Sequence, residues 1–199
     1  MEVFTMVYKK GSRSSHGLLK WTTVLVFSCV LALSMLMWWN RSKEVADIAL
    51  HHDIEMLSKV FEKIHKDCYI LDFKHTKNHI DFLNVIHFVG SEVGSMNLAF
   101  SKNWHGPYLK NNPKFHEKLY AILKNKHGYF IIPADGVVLG NGKEIGKDII
   151  LDEHTDMRRM MHSDDGLRSA SGALAAPIQV GSRTLAQMAQ DPALFQSID

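Results

Sequence analysis

Cysteine is nearly absent from this 199-residue chain, which has only Cys29 and Cys68. Cys29 lies inside a long apolar run and Cys68 lies outside it, so no disulfide can close within the C-terminal region. A domain formed there must be held together by apolar packing, with or without a metal ion.

Common catalytic and nucleotide-binding motifs are also missing. There is no GxSxG or HExxH, and the glycine-rich stretch 140–146 lacks both Walker spacing and the GxGxxG order. His75 and His79 are spaced for a helical metal pair, but no third ligand is spaced to match them. We therefore expect a tight turn at 140–146 and exposed polar histidines. An anchored hydrolase is the least favoured class, and we expect no enzymatic activity.

Charge of one sign is not in excess. The 23 basic and 21 acidic residues give a net charge of +2, and the basic residues are dispersed along the chain. Phosphate backbones require a concentrated basic face, so nucleic acid is not the expected partner.

The longest apolar run, Trp21–Asn40, has no formal charge and would reach about 30 Å as a helix, the thickness of a bilayer's hydrocarbon core. Tryptophans near both of its ends suit the headgroup level. Four basic residues precede it: Lys9, Lys10, Arg13 and Lys20. By the positive-inside rule, the sequence predicts a cytoplasmic leader at 1–20 and a single membrane span at 21–40, with the remainder outside. The alternative is a cleaved signal peptide, whose apolar core is usually shorter.

Residues 43–68 continue as a predicted helix, because glycine and proline are absent there. Its apolar residues recur every three or four positions and form one stripe: Leu50, Ile54, Leu57, Phe61, Ile64 and Cys68. We expect Leu57, Phe61 and Ile64 to pack against a sheet formed around Leu119–Ile132.

The remaining pattern predicts short elements and an α+β domain at 41–155. It indicates a strand at Tyr69–Phe73, a helix at Asn78–Val89, and a hairpin of Leu119–Leu123 with Tyr129–Ile132. Short strands are predicted at Val137–Leu139 and Ile149–Leu151. The segment 156–199 is rich in small polar residues and is predicted to be disordered or weakly helical, with one short helix at Thr184–Gln190.

Three aspartates lie in or beside glycine-rich turns: Asp135, Asp148 and Asp152. Calcium prefers carboxylate and carbonyl oxygens, which such turns can offer. The spacing is not that of an EF-hand, so ordinary solvated turn residues remain the alternative to a calcium site.

The segment Trp104-His105-Gly106-Pro107-Tyr108-Leu109 follows the helix, and a hairpin and a loop with glycine and aspartate come next. This layout resembles the type IV pilin and type II secretion pseudopilin superfamily, most closely the major pseudopilin. The resemblance implies a long N-terminal helix, half membrane-spanning and half amphipathic, packed on a small antiparallel sheet. It also implies calcium in the C-terminal loop, which supports the assignment of Asp135 and Asp148.

The resemblance further implies a structural subunit of a bacterial secretion or filament system. Its partners would be the lipid bilayer, like subunits and other secretion-system membrane proteins. The protein would cross the inner membrane once, with its C-terminal domain in the periplasm. The alternative is an anchored binding domain that does not polymerise and presents Trp104 and Tyr108 to a partner.

The family is processed after a glycine that precedes phenylalanine, with glutamate at the fifth position. Here Gly17 precedes Leu18, and Thr22 occupies the fifth position. We therefore expect no cleavage at Gly17.

Overall fold

The computed structural model describes residues 15–181. Helix α1 spans Ser15–Cys68 and contains no glycine or proline after Gly17. The chain divides into two compact units, the first ending at Ser42 and the second beginning at Lys43. The predicted continuation of the helix through residues 43–68 is confirmed.

In the first unit, the described side chains of α1 between Trp21 and Trp38 are exposed. This part of the helix is long and apolar enough to cross a membrane, and a signal sequence would have the same property. The prediction of a membrane-spanning length of helix is confirmed in this coarse form. Residues 1–14 of the predicted leader lie outside the described residues.

Up to residue 181, where the described part of the chain ends, the second unit contains eleven short strands and a second helix. Ahead of the central hairpin are β1 (Ile70–Phe73), β2 (Lys77–His79), β3 (Glu92–Val93), β4 (Met96–Leu98), β5 (Lys114–Phe115) and β6 (Lys118–Leu119). The hairpin and the elements after it are β7 (Ala121–Asn125), β8 (Gly128–Ile132), α2 (Met157–His162), β9 (Arg168–Ser169), β10 (Gly172–Ala173) and β11 (Ala176–Ile178). The largest sheet has the order β11-β8-β7-β2, and a second has the order β1-β4-β3. All named strand pairs are antiparallel, so the α+β class with small antiparallel sheets is confirmed.

The predicted hairpin is β7 and β8, in register from Ala121 opposite Ile132 to Asn125 opposite Gly128. Gly128 has φ of 130°, a value that side chains disfavour, and the Asn125 carboxamide accepts a hydrogen bond from the His127 N–H at 2.6 Å. The loop chemistry therefore fixes the register.

The apolar stripe of α1 is buried along its whole length, from Leu50 to Cys68. It belongs to one core that includes Ile122 and Phe130 of the hairpin. The Tyr120 hydroxyl, beside β7, donates to Asp53 of α1 at 2.8 Å. The prediction that the chain's own sheet covers this stripe is confirmed.

The predicted helix at Asn78–Val89 is wrong. Asn78 lies within β2, where its buried carboxamide accepts from the His75 N–H and donates to the His75 carbonyl. Asn112 then accepts from the N–H groups of Leu83 and Asn84. These side-chain hydrogen bonds compete with helical ones and leave a non-helical loop with a turn at Leu83–Asn84.

Two further predictions differ from the structure. Residues 137–139 and 149–151 form only isolated bridges, Val138 with Glu144 and Ile145 with Ile149. Residues 157–178 are ordered, with α2 capped by the Asp156 carboxylate and β11 paired to β8. Strands of two or three residues are too short to show a period in the sequence, which explains why the sequence pattern did not predict these elements. The helix predicted at Thr184–Gln190 lies outside the described residues.

Candidate functional site

The segment Trp104–Leu109 is held against the loop that contains Leu83 and Val85. The Trp104 indole donates to the Val85 carbonyl at 3.0 Å, and the N–H groups of Tyr108 and Leu109 donate to the Leu83 carbonyl at 2.9 and 3.1 Å. A Cβ at Gly106 would collide with the Val85 carbonyl and the Trp104 ring. The Gly106–Pro107 peptide bond is cis. Glycine is therefore required between the tryptophan and the proline.

Three aromatic rings pack edge to face here, two from this segment and one from Phe88. The centroids of Phe88 and Trp104 are 5.4 Å apart, and those of Trp104 and Tyr108 are 4.8 Å apart. The Lys63 ammonium lies 5.7 Å from the centre of the Tyr108 ring. Such contacts stabilise the segment beyond simple burial, so the aromatic side chains form a rigid surface beside α1.

The Tyr108 hydroxyl is buried and lies near the Cys68 thiol, and it finds no hydrogen-bond partner of good geometry among the described residues. Burial raises the pKa of Tyr108, and burial raises the pKa of Cys68 to about 11. Both groups are therefore protonated at neutral pH. Cys68 is a buried thiol within the apolar stripe.

An open groove of about 430 Å³ lies between α1 and this segment. Both α1 and the segment contribute apolar side chains to its lining: Met56, Val60, Pro107 and Tyr108. Charged and polar side chains border it: His52, Glu55, Lys59, Lys63 and His105. Glu55 and Lys59 lie 3.6 Å apart as an exposed ion pair. The groove is therefore lined by both apolar and charged side chains.

The three aspartates predicted for calcium lie in separately bonded turns. Asp135 accepts from the Lys77 ammonium at 2.5 Å, while the Lys118 ammonium donates to the Asp135 carbonyl at 2.9 Å. Asp148 accepts from the Glu144 N–H at 2.9 Å. Within residues 15–181, no group of three or more histidine, cysteine, aspartate or glutamate side chains is placed to hold a metal ion. Calcium binding stays a prediction.

Asp152 accepts hydrogen bonds from the His154 N–H and the Thr155 hydroxyl, both at 2.9 Å. These bonds, the hydroxyl foremost, lower the pKa of Asp152, so it is a carboxylate at neutral pH. His75 and His79, discounted as a metal pair, are both exposed.

A buried carboxylate at Asp47 was not singled out by the sequence pattern. It is 8 % exposed and accepts from the Gly140 N–H at 2.8 Å. A Cβ at Gly140 would collide with this carboxylate, so the glycine-rich stretch 140–146 includes a contact to α1 as well as a turn. Burial raises the pKa of Asp47. Nothing in the local sequence marks this aspartate, because its partner is far along the chain.

Asp72, Lys124 and Tyr129 form a second unpredicted cluster. The Lys124 ammonium donates to both Asp72 oxygens at 2.8 and 2.9 Å, and the Tyr129 hydroxyl also donates to Asp72. Burial raises the pKa of Asp72, but these hydrogen bonds outweigh it and hold the pKa below its ordinary value.

Comparison with known proteins found no matching family model, no similar curated protein and no similar solved structure. The function of the chain is therefore inferred from its own sequence and geometry.

Proposed function

We propose that this chain is a membrane-anchored, pilin-like or pseudopilin-like structural subunit of a bacterial envelope secretion or filament system. One observation carries the proposal. An N-terminal helix is apolar and exposed in its first part, and the apolar stripe of its second part is covered by an antiparallel sheet of the same chain. The Trp104–Leu109 segment, which resembles the pseudopilin sequence, supports the same assignment.

In this proposal the apolar segment lies in the inner membrane, the N-terminus is cytoplasmic and the sheet-bearing domain is periplasmic. Exposed apolar side chains can contact lipid or the equivalent helix of another subunit, since lipid tails and leucine are similarly apolar. Like subunits or other secretion-system membrane proteins are the proposed partners. Gly17 is not cleaved, and nucleic acid has no role.

Cys29 offers a direct test of subunit contact, because it is exposed in the apolar segment whereas Cys68 is buried. We expect a membrane-permeable oxidant to produce disulfide-linked dimers in membranes that contain the full chain. The variant Cys29→Ser should abolish them, and Cys68→Ser should retain them. A chain that stays monomeric on oxidation and in analytical ultracentrifugation would contradict self-assembly.

The second candidate is an anchored binding domain, and the groove beside Trp104 and Tyr108 favours it. A photo-crosslinking residue at Val60, in the groove, should distinguish the two functions. An adduct of twice the chain's mass supports a structural subunit, whereas an adduct with another protein supports a binding domain. The same residue at Glu62, exposed and outside the groove lining, is the control.

We also propose that the loop 133–152 binds calcium through Asp135, Asp148 and Asp152. Calcium takes six to eight oxygen ligands, so backbone carbonyls and water would complete the site. Asp135 now contacts the Lys77 ammonium, which calcium would have to displace.

A further inference from the structure

A second depression, of about 410 Å³, lies where three chain segments of the C-terminal unit meet. The segments are the turn between β1 and β2, the end of β7, and residues 153–154. Three lysines line it, Lys74, Lys124 and Lys126, together with His75 and His154. Glu153 is the only carboxylate in this lining. We refer to it as the lysine depression.

Hydrogen bonds fix the walls of the lysine depression. The Lys124 N–H donates to the Thr76 carbonyl at 2.8 Å, which ties β7 to the β1–β2 turn. The Lys126 N–H donates to the Glu153 carbonyl at 3.2 Å, and the Asn125 carboxamide donates to the Thr155 carbonyl at 2.5 Å. The lysines are therefore displayed from backbone that is already ordered.

The charges of the depression are unevenly neutralised. Lys124 is paired with Asp72, and Glu153 lies 3.2 Å from the His154 ring. Among residues 15–181, no carboxylate forms an ion pair with Lys74 or Lys126. Like charges that share one concavity repel each other, and a bound anion relieves this repulsion.

We propose that the lysine depression binds a small phosphate-bearing anion. Ammonium groups bind phosphate as point charges, and charge-assisted hydrogen bonds are the strong ones. The volume lies within the range typical of small-molecule sites. Thr76, also in the lining, adds a hydroxyl beside the cations. This site does not depend on whether the chain assembles into a filament.

The test is calorimetric titration of sodium pyrophosphate into the full chain, held in nanodiscs of zwitterionic lipid with EDTA present. We expect saturable binding that weakens as salt rises from about 50 to about 300 mM, because exposed charges are screened. Lys74→Gln and Lys126→Gln should each weaken binding about fivefold, the size expected for an exposed ion pair. The double variant should weaken it about twentyfold.

Lys102→Gln is the matched control, since Lys102 is an exposed lysine outside the depression. Its affinity should equal that of the unchanged chain, and all variants should melt alike because these side chains are exposed. Equal losses from Lys102→Gln and Lys74→Gln would overturn the proposal, because they would indicate non-specific attraction. Absence of saturable binding by the unchanged chain would overturn it as well.

Nanodiscs that contain phosphatidylglycerol distinguish the source of the phosphate. If a lipid headgroup occupies the site, pyrophosphate should bind more weakly there, and only while Lys74 and Lys126 are present. Unchanged affinity in those nanodiscs assigns the site to a soluble phosphate compound. Binding of oligonucleotide but not pyrophosphate would overturn the small-anion assignment.

Discussion

Two stretches of α1 contrast sharply, although both are helical and rich in apolar residues. Phe27, in the stretch before Trp38, is 66 % exposed, whereas Phe61, in the stretch from Leu50 to Cys68, is 1 % exposed. The first stretch exposes apolar side chains on all sides, a pattern typical of helices with an apolar environment around them. The second is apolar along one stripe and needs only one covering surface, which the sheet provides. The spacing of apolar residues along the helix therefore determines which environment each stretch requires.

The largest expected effect is the loss of Phe61, which contacts Phe73 and Phe82 with ring centroids 6.4 and 6.3 Å apart. Truncation of a buried phenylalanine typically costs about 3–5 kcal/mol. We expect Phe61→Ala to lower the melting temperature of the full chain in detergent by about 10 °C or more, measured by circular dichroism.

Phe27→Ala makes the same chemical change in the exposed stretch, and the melting temperature should hardly move. Equal shifts for the two variants would remove the contrast between the stretches. The full chain is the right material, because a fragment that ends at residue 155 would lack β11 of the main sheet.

A charge placed in the first stretch should disrupt membrane insertion. An arginine at the centre of a membrane helix costs about 2.5–3.5 kcal/mol on insertion scales. Leu33→Arg should therefore increase the share of chain that alkaline carbonate extracts from membranes. Ile48→Arg, also at an exposed apolar position but beyond the span, should extract like the unchanged chain.

Mass spectrometry of the membrane-extracted chain tests whether the first stretch is retained. We expect an intact N-terminal segment and no fragment that begins at Leu18. A mature chain that begins after the apolar run would identify a signal peptide instead.

Calcium should stabilise the second unit and leave the first stretch of α1 unaffected. A ligand that binds only the folded state stabilises it by about 2.7 kcal/mol when free ligand exceeds the dissociation constant a hundredfold. Millimolar calcium should therefore raise the melting temperature, and Asp148→Ala should abolish the increase. Magnesium should substitute poorly because it demands tighter octahedral geometry. Identical melts with calcium and with chelator would rule out the predicted site.

The smallest effects are those of pH on two aspartates of the second unit. The folded-state pKa of Asp47 is raised above 3.8, so its contribution to stability is present below pH 3.8 and is lost as pH rises through the folded-state value. The pKa of Asp72 is lowered, so its contribution is present above pH 3.8 and is lost as pH falls through the folded-state value.

Replacement of each aspartate by asparagine should therefore change the melting temperature at neutral pH, in opposite directions for the two positions. Asp47→Asn should raise the melting temperature slightly, because the amide can still accept from Gly140 without a buried charge. Asp72→Asn should lower it, because Lys124 loses its ion pair. Both differences should shrink toward pH 3, as measured by melting curves between about pH 3 and 8. Differences that do not vary with pH would show that shape, not charge, is responsible.

The candidate site was predictable only in part. The Trp104–Leu109 segment was visible as a local motif, and the structure shows why Gly106 is needed there. The groove beside it was not predictable, because Val60 and Pro107 meet only in the folded chain. The Lys74 and Lys126 pair was hidden for the same reason. A basic concavity assembled from three segments is not marked by any one of them in the sequence.

The sequence by itself determined the elements whose signal is local and periodic: the apolar run, the stripe from Leu50 to Cys68 and the β7–β8 hairpin. Each of these elements repeats a pattern over several residues, so residues close together in the sequence are enough to specify it. Tertiary structure decided the rest. Asn112 keeps the loop after Asn78 from becoming helical, and β8 provides the edge on which Ala176–Ile178 becomes a strand. In both places the deciding hydrogen bonds join residues distant in sequence, so short segments follow their partners rather than their own propensity.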